Sequence, residues 1–138
     1  MIRRSFNTRF RQPILDGIKT TTIRDKAWPV NVPIMAFDWY ALPYRSKQVE
    51  IHPIIVEETT TIRIGRVEGE TGMMCYHAEK GIHRGRVLWQ CEGFHSQEDM
   101  DLWFSTTLKP GEWVDKTLHR FRLAPECLNL ELCLPLAT

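Results

Sequence analysis

Residues 6–25 read FNTRFRQPILDGIKTTTIRD, and this stretch sets the reading of the whole chain. Phe10, Ile14, Leu15 and Ile18 recur at three- and four-residue spacing, which predicts a helix over 7–17 with its apolar face on those residues. Asn7 or Thr8 is placed to cap it. Pro13 has no N–H to donate inside a helix, so it belongs near the first turn of a shorter one. Gly17 ends the helix where a left-handed residue is cheapest. Thr20 to Ile23 is rich in β-branched residues and predicts a strand. Period-two alternation puts Thr20, Thr22 and Arg24 on one face and leaves Thr21 and Ile23 on the other, as scaffold. The stretch therefore predicts a helix stop feeding a strand, with Lys19 at the bend.

Outward from there, Ile34 to Tyr40 predicts a strand broken at Leu42-Pro43-Tyr44. Further strands are expected over 48–57, with an interruption at Pro53, over Thr59–Val67 with a turn at Glu70-Thr71-Gly72, over Leu118–Leu123, and over Leu128–Leu134. Ser96 to Leu108 predicts a second helix: Ser96 caps it, Asp99 follows three residues on, and Met100, Trp103, Phe104 and Leu108 form its stripe. Trp103 and Phe104 are expected in the core. Pro110 and Gly111 stop it. Short strands with two or three flanking helices predict an α+β fold, a small β-barrel decorated by helices, as one domain over 1–138.

The chain has 138 residues, 43% hydrophobic and 25% charged, which is ordinary for a globular domain. No apolar run has the length of a membrane span, and MIRRSF lacks the apolar core of a signal peptide, so a cytoplasmic protein is expected. Cys75, Cys91, Cys127 and Cys133 form no C-x-x-C pair and are expected as reduced thiols. Cys75 with His77 is a weak metal signal beside the plainer reading of a strand thiol next to a surface histidine. No metal or cofactor is expected, and no phosphate-loop or dinucleotide fingerprint is present. Charge is uneven. Residues 1–26 hold Arg3, Arg4, Arg9, Arg11, Lys19, Arg24 and Lys26 against Asp16 and Asp25, a net +5 in a chain of net +1. That points either to a phosphate-bearing partner or to a solvated basic face.

Two segments carry candidate chemistry: GIKTTTIR (17–24) and CEGFHSQEDM (91–100), with Glu92 before a glycine and Glu98 in the first turn of the second helix. A lysine whose pKa is lowered by burial or by Arg24 can take a proton, a threonine can attack when a base activates it, and a carboxylate can relay the proton. By spacing alone the same residues are also a surface ion pair and a strand threonine. Trp39, Tyr40 and Tyr44 with Arg45 and Lys47 either stack and clamp a base or divide between barrel core and solvated loop. Arg84 and Arg86 in IHRGRVLW (82–89) read as an exposed turn, and His95 as an exposed helix-entrance residue.

The opening stretch resembles the first motif of ASCH-domain proteins, small relatives of the PUA RNA-binding fold. Phe10, Ile14, Leu15, Gly17, Lys19, Thr20, Thr22 and Arg24 carry the likeness. CEGF with its following helix and the tail WVDKTLHRFRL extend it from about Phe6 to about Leu123. The resemblance implies a PUA-like barrel with a cleft for a modified nucleoside or RNA. One branch of the family consists of amidohydrolases that deacetylate N4-acetylcytidine, and its machinery falls on Lys19, Thr22 and Glu92, or on Glu98 if the alignment shifts. In that reading Thr22 is the nucleophile or positions water, Lys19 is the base, Glu92 relays the proton and Arg24 binds the oxyanion or base carbonyl. Thr20, Arg24, Trp39, Tyr44 and Arg45 are the implied substrate contacts. The extra material around residues 40–90 resembles larger ASCH proteins, some of which are similar to RNA binders or ribonucleases.

Overall fold

A computed structural model describes residues 1–66, 73–77, 81–83 and 88–125. The fold is α+β. Seven strands are described: β1 (Ile2–Ser5), β2 (Thr21–Arg24), β3 (Pro33–Trp39), β4 (Gln48–Arg66), β5 (Met73–His77), β6 (Gly81–His83) and β7 (Trp113–Leu123). The helices are α1 (Arg11–Leu15), entered through a 3-10 turn at Thr8–Phe10, α2 (Leu88–Glu92) and α3 (Gln97–Ser105). No helix among the described residues is long and apolar enough to cross a membrane.

The spine is β4. It runs unbroken for 19 residues where two strands are expected. Pro53 does not end it; the proline pairs with Met35 of β3, and its carbonyl accepts from Ala124 N–H at 2.9 Å. The chain bends instead at a register shift between Val56 and Glu58. Such a bulge increases local twist and lets one strand serve two neighbours. One edge of β4 pairs antiparallel with β3 and then β5, and the other pairs with β7. In turn β7 carries β2, while β1 adds to β3 in parallel. Among the described residues these pairings form a branched, open sheet and do not close into a ring.

Alternation along β4 buries Ile54, Val56, Ile62 and Ile64 against Ile34, Met73, Met100, Leu108 and Phe121. Phe6, Phe10, Ile14, Trp28 and Phe94 continue that core toward α1 and β2. Gly65 has a packing reason to be glycine: a Cβ there would stand 2.5 Å from the Trp113 ring and from the Glu112 carbonyl oxygen. Arg11 anchors α1 to the sheet, donating to both carboxylate oxygens of buried Asp38 (2.8 and 2.9 Å) and to the carbonyls of Val49 and Glu50. That carboxylate raises the Arg11 pKa above its ordinary value.

Several expectations need correction. The helix over 7–17 splits, and its α-helical part has only five residues with Pro13 in the first turn. Phe10 and Ile14 are buried, but Leu15 and Ile18 are exposed because so short a helix cannot hold a fourth apolar position inward. The strand β1 lies within the basic start, and polar Arg3 and Arg4 hide its pattern. Trp103 is 38% exposed and Phe104 half-buried, so α3 does not place both in the core. Cys75 is buried in β5, and burial pushes its thiol up to about 11. The expected turn at 70–72, the strand over 128–134, Arg84, Arg86, Cys127 and Cys133 lie outside the described residues, as does the His77 side chain.

Candidate functional site

Local chain geometry brings Lys19 inward. Asn7 caps the first turn by accepting from Arg9 N–H at 3.0 Å. Gly17 takes φ +74°, and the N–H groups of Ile18 and Lys19 then both donate to Pro13 O at 2.9 and 3.0 Å. This satisfies a helix-end carbonyl and aims the chain into β2. The end of α2 docks onto the same bend: Thr20 N–H donates to Cys91 O at 2.8 Å. Gly93 turns with φ +88°, and a Cβ there would lie 3.1 Å from Lys19 Cβ, so the glycine admits the lysine stem.

Lys19 is 3% exposed. Its Nζ donates to Thr21 O at 2.8 Å and to Glu92 O at 2.7 Å, and stands 4.4 Å from the centre of the Phe10 ring. Burial lowers its pKa to about 8; Glu92 opposes that shift, while Arg24 and Arg9 reinforce it. Two of the three positions on the nitrogen are thus occupied by neutral acceptors. The third is an N–H in the ammonium and a lone pair in the amine.

Glu92 is 4% exposed, and its Oε2 accepts from the Thr21 hydroxyl at 2.5 Å. Thr22 is also buried, and its Oγ1 accepts from Arg24 Nε at 2.9 Å. The Arg24 guanidinium lies 4.7 Å from the ring centres of both Phe6 and Trp28, which meet edge-on. Burial lowers its pKa to about 10, so it stays charged at neutral pH. Beneath β2, fully buried His119 accepts Trp28 N–H on Nε2 (2.9 Å) and faces Thr22 O with Nδ1 (3.2 Å). That bonding fixes a neutral Nδ1–H tautomer, and burial lowers the His119 pKa accordingly.

Lys19, Thr22, Arg24 and Glu92 all line one cavity of about 350 Å³. Phe6, Phe10, Phe94 and Trp103 supply aromatic wall, and Trp39, Pro43 and Tyr44 add more from β3 and the loop after it. Trp39 and Tyr44 rings stand 5.3 Å apart. Arg9 is held beside this wall by Asp99 and lies over Phe10, Phe94 and Trp103.

Of the residues singled out in the sequence, Lys19, Thr22, Glu92, Arg24, Trp39 and Tyr44 meet at this cavity. Thr20 does not line it; its N–H and carbonyl are spent on Cys91 and Phe121. Arg45 is exposed and off the lining, as are Glu98 and His95. Among the four central groups, the hydrogen bonds do not run from Lys19 to Thr22: Lys19 reaches two carbonyls, and Thr22 is held by Arg24. Thr21 is not idle scaffold, because its hydroxyl holds the Glu92 carboxylate and its carbonyl holds Lys19. Strand alternation hid this, since it sets Thr21 apart from Thr22 and says nothing of a partner 71 positions away. The wall residues Phe6 and Phe94 are not singled out in sequence and Phe10 reads only as the apolar face of a helix, since nothing local shows that an aromatic side chain borders a cavity.

Comparison with protein-family models, with curated proteins and with solved structures returned no match.

Proposed function

We propose that the chain is an ASCH-type hydrolase that removes the acetyl group from N4-acetylcytidine, and that its open, branched sheet is a variant of the PUA-like barrel. The observation that supports this best is that Glu92, 73 positions from Lys19, joins Lys19 and Thr22 in the lining of one aromatic-walled cavity. The cytosine ring stacks against that wall and presents its acetylated exocyclic amine to Thr22.

Thr22 Oγ1 attacks the acetyl carbonyl carbon. The Arg24 Nε–H already bonded to that oxygen favours its deprotonated form. The threonine proton passes to the free position of the Lys19 amine, with substrate or one water bridging the gap. The C–N bond breaks as the proton is relayed through Glu92 to the departing N4. Water then attacks the acetyl-threonine ester, releasing acetate and restoring Thr22. Lys19 works as the neutral amine, so its lowered pKa is the property this step needs.

Purified protein incubated with N4-acetylcytidine should release cytidine and acetate, followed by chromatography. Lys19→Ala, Thr22→Val and Glu92→Gln should each lower the rate by about 100-fold or more. A folded protein that releases no cytidine refutes the proposal.

A second reading, an RNA-binding module, draws support from the loop after β3. Tyr40 and Tyr44 are more than four-fifths exposed there, beside exposed Arg45 and Lys47. It is tested by binding of single-stranded RNA that weakens steeply with salt.

A further inference from the structure

The basic residues of the N-terminal segment divide into two sets. Arg3, Arg9 and Arg11 are each met by a carboxylate, those of Glu50, Asp99 and Asp38. Among the described residues, no carboxylate pairs with Arg4, Lys19 or Arg24. Among the described residues Lys26 is unpaired as well, but it is exposed; of these four, two belong to the cavity. Lys19 and Arg24 line it, and the Arg4 guanidinium lies 5.8 Å from the centre of the Trp28 ring that Arg24 also covers. Against them the cavity lining offers one acid, Glu92.

Lys19 and Arg24 are left with different free groups. Two positions on Lys19 are taken by the Thr21 and Glu92 carbonyls, which leaves a single one. Arg24 uses Nε on Thr22, while its two terminal nitrogens, with four N–H groups, take no acceptor among the described residues. Withdrawing a guanidinium from water without an anion is unfavourable, and its fork matches the oxygens of a phosphate. The volume of about 350 Å³ falls in the range of roughly 300–1,000 Å³ that takes a small ligand.

We infer that the ligand of this cavity is a nucleoside monophosphate, its phosphate held by the terminal nitrogens of Arg24 with Arg4 adding charge behind it. The inference rests on the nucleoside reading of the cavity but not on deacetylation. It deepens that reading by making the substrate class anionic. Because Arg24 also holds Thr22, phosphate binding and the orientation of the nucleophile are linked through one side chain.

Calorimetric titration with cytidine and with cytidine 5′-monophosphate tests this. Wild-type protein should bind the monophosphate about tenfold tighter or more, as a charge-assisted bidentate contact provides. That ratio should shrink as salt is added, a readout that needs no variant. Arg24→Gln should bring the ratio close to one, Arg24→Lys should keep part of it, and Arg4→Gln should reduce it, with thermal unfolding confirming that each variant is folded. Equal affinity for the two ligands, no binding of either, or a ratio unchanged in folded Arg24→Gln overturns the inference. So does much tighter binding of a short oligocytidylate than of the monophosphate. If N4-acetylcytidine is not hydrolysed while the ratio behaves as stated, the deacetylase proposal falls and this one stands; hydrolysis with a ratio of one gives the reverse.

Discussion

The buried Lys19 ammonium ties stability to pH in a defined window. Its folded-state pKa of about 8 lies below the ordinary value of 10.5 because burial penalises the charge. Below about pH 8 both the folded and the unfolded chain hold the proton, so stability is flat with respect to this group. Between about pH 8 and 10.5 the folded protein has released the proton while the unfolded chain keeps it. Stability therefore rises with pH across that window. Integrated from pH 7 to pH 10, the gain is roughly 2–3 kcal/mol. The perturbation that isolates it is Lys19→Met, which keeps the length of the stem and removes the titrating group. This variant also leaves the Thr21 and Glu92 carbonyls without their donor, but that loss is a constant offset and does not change with pH. Urea unfolding of both proteins at pH 7, 8, 9 and 10 gives two curves. Wild type should gain on Lys19→Met by roughly 2–3 kcal/mol across the series, most of it above pH 8. Parallel curves would falsify the argument, since they would mean that Lys19 titrates alike in both states and is not desolvated by the fold.

Three further outcomes follow from other parts of the structure. Gly93→Ala should lower stability by about 1–2 kcal/mol in thermal unfolding, because φ +88° is strained for an L side chain and the new Cβ meets Lys19 at 3.1 Å. Asp38→Asn should cost about 2–3 kcal/mol in urea unfolding, since it strips the charge from the buried partner of Arg11 and puts an NH2 where one of the two accepting oxygens stood. Thr21→Val should lower kcat for deacetylation by about tenfold with little change in KM, and Thr21→Ser should restore it, because only the hydroxyl that holds Glu92 is removed.

The sequence carried most of the local punctuation. Gly17, Pro13 and Asn7 each do in the structure what their chemistry predicts, because each is governed by its own backbone conformation or by neighbours a few residues away. Ser96 caps α3 for the same reason. The misses have non-local causes. Pro53 is tolerated in β4 because Met35 of β3 stays in register with it and Ala124 N–H donates to its carbonyl, and neither is near it in sequence. The union of β4 into one strand depends on a bulge that matters only once β7 lies alongside. At the site, spacing left Lys19, Thr22 and Glu92 open to a plain structural reading and the resemblance of their segments to ASCH motifs implied them as a set; the fold brings all three to one cavity. The part played by Thr21 was hidden because its partner, Glu92, is 71 positions away. Trp103 followed a core-like stripe, yet it borders a cavity, since periodicity finds the apolar face of a helix but not what that face borders.

The pairing of β2 with β7 has a kinetic consequence. Thr21 stands opposite Arg120 and Thr22 opposite His119, so the strand carrying the candidate nucleophile is held by residues from the far end of the described chain. A loop of nearly the whole domain must close before that ladder can form, and closure of so long a loop is slow. During refolding the cavity is thus among the last features to form. During unfolding, loss of the ladder between β2 and β7 opens it at once. Recovery of the β2–β7 ladder after dilution from denaturant should consequently mark the end of folding rather than the formation of any one element.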